Sequence, residues 1–119
     1  NMDAILDSTI QRGVVAHADQ QKARIANGIF KNVNRRYCSI YGYERSELIG
    51  ASFTQLFPPH DRERVLELNR KFVLEGGELK GSWVVHQKDG TQMTVVSESV
   101  RLPDVDGEAH RLVYVTTGN

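Results

Sequence analysis

The chain has 119 residues, the size of one domain, and a length that buries about two-thirds of the surface an unfolded chain exposes. Hydrophobic residues make up 39% and charged residues 25%, a balance that excludes a disordered chain. Lys plus Arg (15) cancel Asp plus Glu (15), which argues against nucleic acid or an anionic membrane surface as partner. The single cysteine, Cys38, excludes an internal disulfide, and no apolar run approaches the ~20 residues that span a bilayer. Asn1 ahead of Met2 reads as a leftover before a start position, so the chain is expected to be a piece of something longer. No charged-then-apolar leader opens it, and the expectation is a cytoplasmic domain without direct membrane contact.

In chain order, Ile5, Leu6 and Ile10 recur at roughly helical spacing within Met2–Arg12, which predicts a flanking helix over residues 1–12, stopped by Gly13. Residues 13–119 read as one domain. Val14–Ala18 is a short strand ending at Asp19, followed by a polar connection from Gln20 to the turn pair Asn27–Gly28. Ile29–Val33 is the second strand, so the first hairpin is expected to carry a long loop.

The middle is helical in short pieces. Asn34 is placed to cap a helix over Arg35–Tyr41, with Tyr37, Ile40 and Tyr41 on one face and Gly42 ending it. Ser46–Ile49 is one turn closed by Gly50, and Phe53, Leu56 and Phe57 make another before Pro58–Pro59. A longer helix starts at Pro59, with Asp61 and Glu63 at its positive end and Val65, Leu68 and Phe72 at helical spacing. Glu67 and Lys71 form an i,i+4 pair, and Gly76–Gly77 terminates the helix.

Three strands follow, over Leu79–Lys88, Met93–Leu102 and Ala109–Thr117. Asp89–Gly90 and Asp104–Gly107 carry the turn chemistry between them. Strands and helices do not alternate, so the fold class is α+β, a five-stranded antiparallel sheet with the helices on one face. Along the fourth strand Met93, Val95, Ser97 and Ser99 share one face, and Val96, Val100 and Leu102 the other. A half-solvated sheet is apolar on one side only. Here both sides are apolar, so the outer face is expected to be covered, by the N-terminal helix or by a second protomer.

Catalytic chemistry is not legible. No pair among His17, His60, His86 and His110 has metal-ligand spacing. Ser97 and Ser99 face away from Glu98, and no phosphate-binding glycine loop occurs. The fragment is read as no enzyme.

The run Asn34 to Gly50, with its Gly42-Tyr43 and Ser46-Glu47-Leu48-Ile49-Gly50, resembles the signature of the PAS (sensory box) family. Phe57-Pro58-Pro59-His60-Asp61-Arg62, Trp83 to Gly90 followed by Thr91, and Asp104-Val105-Asp106-Gly107 resemble, in order, later segments of that family. Together these cover residues 29 to 117. The first hairpin departs from the family, which joins those strands by a tight turn. Around Phe53 the sequence Gly50-Ala51-Ser52-Phe53-Thr54-Gln55 lacks the reactive cysteine of the LOV photosensor branch.

The resemblance implies a PAS sensory domain in signal transduction, homodimeric through the outer sheet face and N-terminal helix. It would regulate an attached histidine kinase, diguanylate cyclase or transcriptional regulator. A small ligand or cofactor of unknown identity would sit between sheet and helices. Its lining would be Tyr37 and Tyr41 from the first short helix, Leu56 from the later turn, and Val65 and Leu68 from the long helix. The sheet would add Trp83, Val85, Val95, Ser97 and Ser99. Haem would need an axial histidine, for which His60 is the candidate near the long helix, and Trp83 suits a noncovalent flavin. The same residues also compose a plain core, so the alternative is an interaction module whose interior is filled.

Overall fold

The computed structural model describes residues 21–117. The predicted flanking helix and the strand over Val14–Ala18 lie outside that range. The elements run β1 (Gln21–Ala26), β2 (Ile29–Val33), α1 (Arg35–Tyr41), α2 (Arg45–Leu48), 3₁₀ turns at Phe53–Leu56 and Pro59–Asp61, α3 (Arg62–Glu75), β3 (Lys80–His86), β4 (Gln92–Val105) and β5 (Glu108–Thr117). They form one antiparallel sheet in the order β2-β1-β5-β4-β3. This is the expected five-stranded α+β architecture, with the first strand displaced.

The polar stretch expected to be a loop is β1. Gln21, Lys22 and Arg24 disguise a period of two in which Ala23 and Ile25 point inward, 2% and 1% exposed. Asn27 and Gly28, at φ 53° and 76°, close the hairpin as a two-residue turn of type I′. The tight turn normal for the family is therefore present. In β2, Phe30 and Val33 are both buried although three residues apart. The pairing jumps from Arg24↔Asn32 to Ile25↔Phe30, a bulge that leaves Lys31 extra and restores the inward parity.

Main-chain bonds hold the short helices over the sheet at both sides. On one side Phe30 N donates to Ala51 O, Gly50 N to Phe30 O, and Phe53 N to Gly28 O, at 2.9–3.0 Å. On the other, Lys88 N donates to Tyr41 O (2.8 Å) and Gln87 Nε2 to Ile40 O (2.9 Å). Asn34 caps α1 as expected, its Oδ1 accepting from Tyr37 N at 2.9 Å and also from Lys22 N at 3.2 Å. Gly42 ends α1 in the left-handed region at φ 82°. α3 begins three residues later than predicted, because Pro59–Asp61 forms a separate 3₁₀ turn. On its outer face Glu67 accepts from Arg70 rather than pairing with Lys71, the i+3 guanidinium reaching it with two donors.

Among the described glycines Gly28 has the least room: a Cβ there would meet Leu66 Cδ1 at 3.3 Å in a conformation that L side chains avoid. Gly28→Ala should destabilise the domain by about 1–2 kcal/mol. Asn27→Gly, one residue earlier in the same turn, should stay within about 0.5 kcal/mol of the parent. Urea titrations of the two variants check this contrast.

Candidate ligand cavity

The sheet curls so that one face of β1, β3, β4 and β5 looks toward α1, α3 and the 3₁₀ turn. Between them lies a cavity of about 50 Å³. A water occupies about 10–15 Å³ on this measure, so the space suits a guest of a few heavy atoms. A flavin or haem would require the helices to move apart.

Of the predicted lining, Tyr37, Tyr41, Val65, Leu68, Trp83, Val85, Val95 and Ser97 border this space. Leu56 does not: at 1% exposure it packs into the core at the end of its 3₁₀ turn. Ser99 does not line it either, because Arg111 lies against it, Nη1 donating to Ser99 Oγ at 3.0 Å. Sequence reasoning missed Phe53, Phe57, Asn69 and Arg111, which all border the cavity. Phe57 and Trp83 meet edge to face at 6.2 Å, and the Arg64 guanidinium lies 5.6 Å from the Trp83 ring.

Arg111 is the chemically distinctive group. It sits mid-way along β5, 6% exposed, directly between Ile25 of β1 and Arg101 of β4 on the inner face. Its Nε donates to Asn69 Oδ1 at 2.6 Å, and its guanidinium carbon lies 4.9 Å from the centre of the Phe53 ring. Burial lowers its pKa to about 10, against the pull of Tyr37 and Tyr41, so it remains a cation at neutral pH. Removing such an ion from water costs several kcal/mol. Two neutral acceptors return about 1.5–3 kcal/mol each and the ring about 0.5–2. These offset the desolvation but leave the charge uncancelled: among the described residues no carboxylate pairs with Arg111.

Tyr37 and Tyr41 complete the polar end. Their rings are 4.9 Å apart. Burial, above all, holds both phenols above their usual range.

His60 stands away from this cavity, its side chain 79% exposed beside Asp61 in the 3₁₀ turn. His110 faces the opposite side of the sheet, 3.1 Å from Arg24 Nη1. Cys38 is buried in the core on α1. Among the described residues no cluster of His, Cys, Asp or Glu could hold a metal ion.

The PAS fold family model matches residues 30–116. The chain belongs to the PAS family. PAS domains are in general sensory, non-catalytic modules, and the match covers β2 through β5. No curated protein sequence matches the chain. Solved PAS domains share its fold across nearly their whole length. That of an HTR-like protein from Haloarcula marismortui is 21% identical, covers 98% of this chain with 92% of its own, and gives a TM-score of 0.73. A domain of a sensory box sensor histidine kinase/response regulator from Geobacter sulfurreducens is 24% identical (94% and 95% covered, TM-score 0.71). The PAS domain of a LuxR-family transcriptional regulator from Burkholderia thailandensis, solved in complex with ethanol, is 16% identical (92% and 95%, TM-score 0.68).

The buried phenols have a consequence for alkaline stability. Their folded pKa values lie above the unfolded value, so the stability they contribute is present in full below pH ~10 and is lost as the pH rises further, where only the unfolded chain ionises. Arg111, depressed in the fold, acts in the opposite sense as a single group. Tyrosinate absorbance should therefore rise in a late step coincident with unfolding, and Tyr37→Phe or Tyr41→Phe should shrink that step.

Proposed function

We propose that this PAS domain senses a small molecule held between the inner sheet face and the short helices, and passes the occupancy to an attached effector. The observation that carries the reading is the cavity itself: mostly apolar walls, with Arg111, Asn69, Tyr37 and Tyr41 gathered at one end. A filled interior would place aliphatic side chains there, not a buried cation. The ethanol complex of the Burkholderia domain supports a guest of similar scale in this fold. The effector is a histidine kinase, diguanylate cyclase or transcriptional regulator, and the setting is cytoplasmic. The first two neighbours, an HTR-like protein and a sensor kinase, support signalling as the role. Native mass spectrometry of the purified domain should show a population heavier than the polypeptide by a small, releasable mass. Val113→Phe, which fills the cavity from β5, should abolish it. A single bare mass for both proteins would favour the filled-core interaction module.

The proposal includes a homodimer through the outer sheet face. Val84 and Val96, 44% and 42% exposed, are diagonal neighbours there. Further along the same face Leu112, opposite Val100, is 2% exposed with Val100 and Leu102 packed on it. Val96→Asp should weaken self-association in sedimentation velocity while leaving the urea midpoint nearly unchanged. An unaltered dimer would remove this face from the interface.

A further inference from the structure

We infer that the ligand is a small organic monocarboxylate, anchored by the Arg111 guanidinium with its hydrocarbon part against Val65, Trp83 and Val95. The inference deepens the ligand-sensing reading and rests on it.

A guanidinium has five N–H donors in a planar fork. Among the described residues Arg111 uses two, to Asn69 Oδ1 and Ser99 Oγ. The one fully buried side-chain nitrogen or oxygen without a partner among the described residues is Arg24 Nε, on the opposite face of the sheet. Nη2 has no hydrogen-bond partner among the described residues, and Arg111 borders the cavity. Phe53 covers one flat side of the guanidinium, which leaves its edge as the reactive direction. An edge of two parallel N–H groups matches the two oxygens of a carboxylate.

Charge points the same way. Among the described residues no Asp or Glu lines the cavity. The site is thus net positive, in a place where burial strengthens any attraction. Tyr37 and Tyr41 also border the cavity, adding two phenols to its lining.

Size and walls narrow the class. About 50 Å³ admits few heavy atoms. A tetrahedral dianion such as phosphate would need donors around its whole surface, whereas Ile25, Val95 and Val113 offer none. A short aliphatic acid satisfies both ends.

Trp83, the single tryptophan, borders the cavity and reports binding by its fluorescence. Titration of the parent domain, first stripped of any guest by unfolding and refolding, should give saturable changes with propionate and butyrate. Binding of propionamide and butyramide, equal in shape but uncharged, should be at least about tenfold weaker, and inorganic phosphate should compete poorly. Arg111→Lys should lower affinity for the acids by a larger factor than for the amides, narrowing the ratio between them. The comparison of acid with amide needs no variant and so survives misfolding of the substitution. Equal binding of acid and amide would overturn the anion assignment while the ligand-sensing reading stands. Tighter binding of phosphate than of either acid would overturn the carboxylate class. A silent response to every probe would overturn both the assignment and the cavity as a binding site for guests of this size.

Discussion

A guanidinium held inside the protein by two neutral oxygens and one ring governs the rest of this structure. Arg111 reaches from the middle of the central strand to Asn69 on α3, so the longest helix is braced to the sheet by a polar strut rather than by apolar contact alone. A strut of this kind holds the two layers apart. An aliphatic pair at the same positions would let them close, and removing either partner leaves a buried charge or amide with too few partners.

The other ties work at the rim. β2 accepts and donates main-chain bonds with Gly50 and Ala51, and the β3–β4 turn binds the end of α1 through Gln87 and Lys88. With both edges fixed, the short helices span the concave face like an arch, and the space beneath persists. The parity of β5 then couples two surfaces. Arg111, Val113 and Val115 face the cavity, while His110, Leu112 and Tyr114, also buried, face the other side. On the proposed reading, a change in what Arg111 binds would be felt one residue away on the face proposed for dimerisation, without any long relay. That would be a short physical route from the proposed occupancy to the proposed effector.

Much of this was legible in the sequence, because the C-terminal strands and the helix caps carry local signals. Asp104–Gly107 and Asp89–Gly90 announce turns, Asn34 announces α1, and the alternation of Val95, Ser97 and Ser99 gave the inner face of β4. The first hairpin was misread for two physical reasons. Lys22 and Arg24 carry polar ends on long stems, hiding the inward Ala23 and Ile25, and the bulge at Lys31 breaks the period of two in β2. Arg111 escaped notice because charged residues default to the surface, and nothing local distinguishes it from Arg101, which is exposed. Only the long-range meeting with Asn69 and Phe53 reveals it. Asn69 was hidden likewise between Leu68 and Arg70 on a helix whose apolar spacing did not include it.

The most direct test is a crystal structure of the domain grown with propionate. The account predicts density for the acid in the cavity, both oxygens at about 2.7–2.9 Å from Arg111 nitrogens, with Asn69 and Ser99 still in place. An Arg111 side chain turned out to solvent, or paired with an Asp or Glu of the chain itself, would contradict it.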